Sequence, residues 1–354
     1  MDLTAKQAPK DVSRRQAREE WIDTARCLMI YAIVLGHTLR GATELYQWLF
    51  SFHVPMSIMI SGMVAGGHGQ RFGPFAWRRF VRLMIPYYCF SLLSIGIYAV
   101  IGQTAEDAVG GGRPLTVVQC LGGMLLANSK SGAMRWNTPL WYVPMFFVMS
   151  LMGYWTGRIR RGRDMALAAA LSVGIGALVY ESGPAVRLPF ALETAACCLP
   201  FFLLGGLLHR ACAVLKERGP IGKLALAAAL ILAGELLRRH NGPISVRTDR
   251  YGNYVLFLLS ALSSSSGFIV LSMLWPRGVR PLNYVGRNTM SILLMHKFPI
   301  MLFVTILPVT KRLAAAYPIV TSAAVAAVTV LMCLAADRII CLAAPWMVGK
   351  GRVR

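Results

Sequence analysis

The chain has 354 residues, of which 56% are hydrophobic and only 15% are charged, and its mean hydropathy is +0.55. A soluble globular domain carries about 25% charged residues, so this composition excludes an ordinary soluble domain and favours a helical membrane protein. The net charge of +22 would favour nucleic-acid binding in a soluble protein. Here the basic residues lie in short segments between apolar runs, as the positive-inside rule expects, so we expect no nucleic-acid partner.

The eight cysteines indicate neither a metal site nor a redox site. No CxxC pair occurs among them, and nearly all lie within apolar runs. This placement is typical of small side chains buried in the membrane. No metal ligand set is therefore predicted.

The order of polar and apolar segments predicts an all-α, polytopic integral membrane protein. Residues 1–20 are polar and contain acidic side chains, unlike a signal peptide, so we expect a cytoplasmic tail there. A membrane domain is predicted over 21–345, followed by a basic cytoplasmic tail at 346–354. Each apolar run is close to the roughly 20 residues that cross a bilayer core. About ten spans are predicted, at 25–42, 47–67, 83–102, 138–156, 165–181, 190–209, 221–237, 251–274, 288–308 and 317–341.

The shorter apolar run at 115–128 fits a re-entrant segment, an interfacial segment or an eleventh span. If it does not cross and the chain starts inside, the inner segments hold 25 of the 37 lysines and arginines. If it crosses, every later loop changes side and the positive-inside rule fails. We therefore predict ten spans with both termini cytoplasmic. The outer loop 238–250 departs from the rule, because it carries four arginines.

An ionisable stripe marks the first span. Arg26 and His37 are eleven residues apart, close to three helical turns, and about 16 Å apart along a helix axis. Asp23 lies on the same face. Such a stripe has to face water or other polar groups, because lipid chains cannot form hydrogen bonds with ionisable side chains. Histidine exchanges a proton near neutral pH, so His37 is a candidate base, although a histidine that only packs between helices remains an alternative.

Two further histidines and a lysine lie in apolar surroundings. His53 falls near the outer end of the second span, close to His37, and His296 and Lys297 fall inside the ninth span. A lysine within a membrane span is costly unless it is paired or functional. These residues are candidates for contact with a substrate.

Several segments together resemble the membrane acyltransferase 3 family. Arg26 and His37 resemble its R-x10-H motif, and FSFHVPMSIMISG (50–62) resembles its second-span segment, with Met56-Ser57 where Leu-Phe is common. Four later segments are also similar, and with YGNYVLFLLSAL (251–262) the chain is most similar to the fucose 4-O-acetylase-like branch. These later segments are WRRFVRLMIPYY (77–88), TPLWYVPMFF (138–147), LPFFLLGGLL (199–208) and NYVGRNTMSILLMHKFPI (283–300).

The resemblance implies transfer of an acyl group from acyl-CoA, usually acetyl-CoA, to a hydroxyl of a glycan or glycolipid at a cell membrane, such as a bacterial inner membrane. His37 then suits the general base. Arg26 suits either the mouth for the phosphopantetheine arm of the cofactor or the orientation of His37, with Asp23 on the same stripe. Guanidinium groups bind phosphates and an aromatic ring stacks adenine, so a cytoplasmic cofactor seat is expected at Trp77, Arg78, Arg79 and Arg82. The alternative is that these arginines only hold the start of the span on the cytoplasmic side, as the positive-inside rule expects.

Acceptor contacts are expected near the outer ends of the spans. Asn137, Trp141 and Tyr142 fall there, and an aromatic side chain can stack on a sugar, although an interfacial aromatic belt explains them equally well. Glu193 and Glu44 are membrane-end acids that can pair with His37 or reach the interface on their own. The competing function is a proton-coupled transporter or a lipid or glycan flippase.

Overall fold

A computed structural model describes most of the chain as helices. Within the described residues no strand forms, and Ser245 and Arg250 make a single antiparallel bridge. The all-α prediction is confirmed. The described residues are 19–39, 43–65, 70–109, 113–127, 132–156, 158–159, 161–183 and 188–351.

Fourteen α-helices follow one another in the described chain. Short 3₁₀ turns lie at Arg135–Trp141, Val246–Thr248 and Pro345–Val348, and a π-helical turn spans Met301–Ile306. The helices are α1 Glu20–Thr38, α2 Glu44–Met63, α3 Phe72–Val109, α4 Val117–Leu126, α5 Tyr142–Thr156, α6 Gly162–Ser182, α7 Leu192–Leu215, α8 Pro220–Arg239, α9 Tyr254–Ser272, α10 Arg280–Arg287, α11 Thr289–Met295, α12 Lys297–Ile300, α13 Pro308–Ala316 and α14 Pro318–Ala343.

Six helices in the described chain, α3, α6, α7, α8, α9 and α14, are long and apolar enough to cross a membrane. A pair of segments bent by 75°, 297–304 and 308–316, adds a seventh if it is one broken span. The chain is therefore a multi-pass membrane protein, and the number ten stays a prediction. Helix α4 has ten residues and is about 15 Å long. It is too short to cross a hydrocarbon core of about 30 Å.

Polar contacts identify the two ends of the helix bundle. At one end, Glu19 accepts hydrogen bonds from Lys216 and from His209 Nε2 at 2.7 Å, which ties the start of α1 to α7. Burial by itself raises the pKa of Glu19, but the bonds from Lys216 and His209 outweigh it and hold this pKa below its ordinary value. At the opposite end, Arg238 Nη2 donates to Glu44 at 2.7 Å. We call the first the basic end and the second the distal end.

Helix α2 lies at the centre of the bundle and is buried along most of its length, against α1, α7 and α9. An added Cβ on Gly62 would lie 1.9 Å from the carbonyl oxygen of Phe202. Only glycine permits this approach of α2 to α7. Gly62 at the end of the second-span segment thus serves helix packing.

Two predicted spans differ in extent from the helices. The span predicted at 83–102 belongs to α3, which begins at Phe72 because the basic stretch before residue 83 continues the same helix. The span predicted at 288–308 is divided into α11, α12 and the π-helical turn. Pro299 lacks the N–H that would bond to the carbonyl of Met295, so the α-helical ladder is interrupted there.

Candidate functional site

A cavity with about 530 Å³ of empty space opens at the distal half of the bundle. It contains two of the three predicted membrane histidines, together with aromatic side chains and one arginine from the loop before α9. The lining residues are Ile33, His37, Phe50, His53, Val54, Thr138, Pro139, Trp141, Tyr142, Val246, Arg247 and Leu293. We call it the distal cavity.

His37 presents its imidazole to this cavity. Its ring lies edge-on to Phe50, with ring centroids 5.9 Å apart, and tilted against His296 at 5.2 Å. No hydrogen bond from a described residue occupies either nitrogen of His37. Both nitrogens are therefore available to a ligand, as a proton-transfer group requires.

The neighbouring histidines have defined tautomers. His53 Nδ1 lies 2.6 Å from the carbonyl oxygen of Leu49, and His296 Nδ1 lies 3.0 and 2.9 Å from those of Ile292 and Leu293. A carbonyl oxygen only accepts, so each Nδ1 carries the hydrogen and each neutral ring has its lone pair on Nε2. Nε2 of His296 is buried and has no partner among the described residues. The His37 ring packs against this histidine.

A second cavity, with about 1090 Å³ of empty space, opens toward the basic end. Five of its lining residues are cationic and none is acidic. They are Arg26, Arg79, Arg82, Arg287 and Lys350, together with Met29, Ile30, Ile33, Ser57, Ile60, Ser61, Leu83, Tyr142, Phe146, Asn288, Thr289, Met290, Ser291, Leu293, Val348 and Gly349. We call it the basic cavity.

The two cavities are adjacent, because Ile33, Tyr142 and Leu293 line both. The Tyr142 hydroxyl lies 2.9 Å from Ser57 Oγ and is the one side-chain polar group among these three residues. His37 follows Ile33 by one helical turn, about 6 Å along the axis of α1. A polar hydroxyl and an imidazole therefore flank the junction of an apolar and a cationic cavity.

A family model described as an acyltransferase domain matches residues 19–337. The chain belongs to the acyltransferase 3 family. The match covers both cavities apart from the C-terminal residues of the basic cavity. Comparison with curated proteins finds no match. The chain is thus a membrane acyltransferase, and its family requires an acyl donor and a hydroxyl acceptor.

Asp23 of this acyltransferase lies in α1 near the basic end and does not line the distal cavity with His37. Its buried carboxylate accepts from Arg26 Nη1 at 3.1 Å and from Arg287 Nε at 3.0 Å. An added Cβ on Gly286 would lie 1.9 Å from the Asp23 carbonyl oxygen, so glycine permits α10 to approach α1 this closely. Asp23 therefore holds two arginines of the basic cavity, and one of them, Arg26, is where the alternative of a cofactor mouth places it.

The predicted cofactor residues divide into two pairs. Arg79 and Arg82 line the basic cavity, and neither forms an ion pair with a carboxylate of the described chain. Arg78 donates to Gln70, and Trp77 is exposed and stacks on Phe80. Neither Arg78 nor Trp77 lines the basic cavity, because successive residues of α3 point in different directions.

Among the predicted acceptor residues, Trp141, Tyr142 and His53 line the distal cavity. Asn137 is buried beside it and donates from Nδ2 to Ser94 Oγ at 2.9 Å, which fixes the turn before α5 to α3. Lys297 is partly buried in α12 and lines neither cavity.

The predicted acidic partners of His37 lie elsewhere in the acyltransferase. Glu44 pairs with Arg238 at the distal end. Glu193 is buried beside a different cavity, which Cys197, Thr248 and Asp249 also line. Neither acid lines the distal cavity, so neither tunes the basicity of His37 by direct contact.

Three cationic residues and an asparagine that line the cavities were not among the predicted site residues: Arg287, Lys350, Arg247 and Asn288. Lys350 Nζ donates to both oxygens of Asp337, at 2.7 and 2.6 Å, and to Asn288 Oδ1 at 2.6 Å. These bonds use all three of its N–H groups and attach the C-terminal segment to the wall of the basic cavity. The available signal for Arg247 was its place in an outer loop rich in arginine.

No group of three or more His, Cys, Asp or Glu side chains in the described part of the acyltransferase is arranged to hold a metal ion. The cysteines of the described chain are free thiols, mostly buried between helices.

Proposed function

We propose that the protein transfers an acetyl group from acetyl-CoA to a hydroxyl of a glycan or glycolipid. The observation that carries the proposal is that a cationic cavity and a histidine-bearing cavity are adjacent and share Ile33, Tyr142 and Leu293. The basic cavity would hold the donor and the distal cavity the acceptor. The thioester carbonyl would lie at the junction, within reach of both Tyr142 and His37.

The charge of the basic cavity supports a polyanionic donor. The Asp23 carboxylate forms ion pairs with both Arg26 and Arg287, and Asp337 forms an ion pair with Lys350. Arg79 and Arg82 remain without a carboxylate partner in the described chain and would bind the phosphates of CoA through charge-assisted hydrogen bonds. The apolar residues between these arginines and the junction would accommodate the pantetheine arm.

The transfer itself needs a base and a group that stabilises negative charge. His37 takes the proton of the acceptor hydroxyl as that oxygen attacks the thioester carbonyl. The tetrahedral intermediate places its oxyanion near the Tyr142 hydroxyl, a donor of the kind that stabilises such charge. The C–S bond then breaks, and His37 returns the proton to the CoA thiolate.

His296 would act as a positioning residue for this base. Its Nε2 lone pair is fixed by the two carbonyl contacts of Nδ1, and its ring lies against His37. If a nitrogen of His37 donates its N–H to that lone pair, the other nitrogen is left to take the acceptor proton. His53, fixed in the same tautomer, would accept a hydrogen bond from the acceptor molecule within the distal cavity.

The acceptor is proposed to be a sugar. Trp141 offers an aromatic wall of the distal cavity, and Thr138 adds a hydroxyl. The resemblance of residues 251–262 to the fucose 4-O-acetylase-like branch also supports a sugar hydroxyl.

The basic end is proposed to face the cytoplasm, where acetyl-CoA is made, and the membrane is proposed to be a bacterial inner membrane. The support is the distribution of positive charge, with 25 of 37 basic residues in the segments assigned inside. Single cysteines at Ser182 and Arg218, both exposed at opposite ends, test the orientation. An impermeant thiol reagent should label the Ser182 position from outside in intact cells and the Arg218 position only after lysis.

Acetyl-CoA labelled with ¹⁴C in the acetyl group and ³H in the adenine separates transfer from transport. The reconstituted protein should move ¹⁴C to a glycolipid acceptor while ³H stays with CoA on the donor side. Passage of both labels across the bilayer, or passage of unmodified glycolipid without ¹⁴C, would instead support a transporter or a flippase.

A further inference from the structure

The last described turn of the chain, residues 345–350, forms part of the wall of the basic cavity. Its residues Val348, Gly349 and Lys350 line that cavity, although the match to the acyltransferase domain ends at residue 337. A hydrogen bond from the Lys350 N–H to the carbonyl of Pro345, at 2.9 Å, closes the turn. We call residues 345–350 the C-terminal turn. The cavity proposed to hold the donor therefore includes residues beyond the matched domain.

The side chain of Lys350 is occupied by protein partners. Its ammonium group donates to both oxygens of Asp337 and to Asn288 Oδ1, at 2.6–2.7 Å, which uses its three N–H groups. Asp337 is only 2% exposed and also accepts from Ser291 Oγ at 2.6 Å. A buried carboxylate needs such partners, because it has lost its hydration. Lys350 thus fastens the C-terminal turn to α11 and α14.

Gly349 brings the C-terminal turn against α3. Its φ of +74° lies in the left-handed region that favours glycine. An added Cβ would lie 2.6 Å from the carbonyl oxygen of Arg82, so only glycine permits this approach. Val348, the preceding residue, is 2% exposed. The turn is therefore packed closely against the backbone of one of the cavity arginines.

Arg82 depends on its backbone for its position in the basic cavity. The residue is exposed, and its guanidinium forms no ion pair with a carboxylate in the part of the chain that the structure describes. The place of such a long side chain follows that of its main chain, which the C-terminal turn contacts. Asp337, Lys350 and Gly349 thus form a continuous connection from α14 to the carbonyl of Arg82.

We propose that the C-terminal turn positions Arg82 to bind a phosphate of the donor. Lys350 and Gly349 are positioning residues that act through Arg82. The inference rests on the proposed function and adds a part of the donor site that lies outside the matched domain. If the turn acts through Arg82, loosening the turn should weaken binding of CoA only while Arg82 is present.

The test measures binding of CoA by calorimetry, with the protein in lipid nanodiscs. Lys350→Met removes the bonds to Asp337, whereas Gly349→Ala keeps every charge and forces the turn away from Arg82. We expect each change to raise the Kd for CoA about 3- to 10-fold, up to the contribution of one charge-assisted hydrogen bond at its lower value. The kcat at saturating donor should stay within about twofold, because the reacting groups are unchanged.

Arg338→Met is the matched control for loss of a positive charge. Arg338 follows Asp337 in α14, is exposed and lines neither cavity. This variant should bind CoA within about twofold of the parent. An increase in Kd as large as that in Lys350→Met would overturn the proposal, since it would indicate a general effect of charge.

A double-mutant cycle with Arg82→Gln separates positioning from other roles. Residues that act through one another have non-additive effects, so Lys350→Met and Gly349→Ala should each change Kd by less than about twofold in the Arg82→Gln background. Equal fold-changes in both backgrounds would overturn the proposal, because they would indicate direct contact with CoA or support of the whole fold. A parent-like Kd in Gly349→Ala beside a weakened Lys350→Met would overturn it as well, since it would make Lys350 itself the ligand.

The failure of this inference is distinguishable from failure of the proposed function. Binding of CoA that is the same in the parent, Lys350→Met and Gly349→Ala would retain the donor site and reject the role of the C-terminal turn. Failure of the parent to bind CoA would reject the proposed donor and this inference with it. Coupling between Lys350 and Arg82 in CoA binding without acetyl transfer would retain the site and reject the reaction.

Discussion

Replacing Arg79 and Arg82 by glutamine should weaken binding of acetyl-CoA, whereas the same change at Arg78 should not. All three arginines lie within one turn of α3, but only Arg79 and Arg82 line the basic cavity. Arg78 faces Gln70. The comparison therefore keeps the helix, the local charge and the type of substitution constant and changes only the direction of the side chain.

The magnitude follows from the charge state of the two arginines. Neither is matched by a carboxylate in the described chain, so each guanidinium would bind phosphate without first breaking an ion pair. A charge-assisted hydrogen bond contributes about 1.5–3 kcal/mol, which corresponds to an increase in Kd of about 10- to 150-fold for each residue. Arg82 is exposed, so its effect should lie near the lower value.

Binding of acetyl-CoA to purified protein is the appropriate assay, repeated at low and high salt. At 1 M salt the Debye length is about 3 Å. The difference in Kd for acetyl-CoA between the parent and the double variant should therefore be smaller than at low salt. A thermal-shift measurement checks that each variant is folded. Two results would contradict a phosphate site at Arg79 and Arg82: weakening by Arg78→Gln equal to that by Arg79→Gln, or binding of acetyl-CoA by the double variant like that of the parent.

Three further substitutions test the division of roles within the site. Asp23→Asn should raise the KM for acetyl-CoA more than it lowers kcat, because it releases Arg26 and Arg287, and steady-state kinetics showing a loss in kcat alone would contradict this. Tyr142→Phe should lower kcat by about 10²–10³ with little change in donor Kd, as expected for loss of an oxyanion donor, and a kcat within threefold of the parent would reject that role. His296→Phe should lower kcat while His296→Gln, which keeps an acceptor near Nε2, restores part of it, and equal defects in both variants would indicate a purely structural histidine.

The sequence was sufficient to predict the helical membrane fold and to single out His37, which lines the distal cavity. The period of the α-helix placed Arg26 and His37 on one face, and the structure shows each lining one of two adjacent cavities. The same period could not show that Asp23 bonds to Arg287, because that contact joins residues 264 positions apart.

The direction in which each side chain of α3 points could not be predicted from the sequence either. A cluster of three arginines and a tryptophan has the composition of a phosphate and adenine site, but adjacent residues on a helix point about 100° apart. Packing of α3 against the rest of the bundle decides that Arg79 and Arg82, and not Arg78 or Trp77, line the cavity. The part played by Lys350 depends on a C-terminal turn that folds back onto Asn288 and Asp337, and no local pattern predicts it.

The loop containing Arg247 is an exception to the positive-inside rule. Its arginines contradicted the positive-inside prediction, and this departure was the only sequence signal that distinguished the loop. The structure resolves the departure by pairing Arg238 with acids and directing Arg247 into the distal cavity.

Transfer of labelled acetyl to glycolipid by the His37→Gln variant tests whether His37 takes the proton of the acceptor hydroxyl. His240→Gln is the matched control, because His240 is exposed after α8 and lines neither cavity. We predict that His37→Gln loses about 10²–10⁴ in kcat, the usual contribution of a general base, while its Kd for acetyl-CoA stays within about twofold of the parent. A folded His37→Gln protein that retained more than about a tenth of the parent kcat would contradict the account.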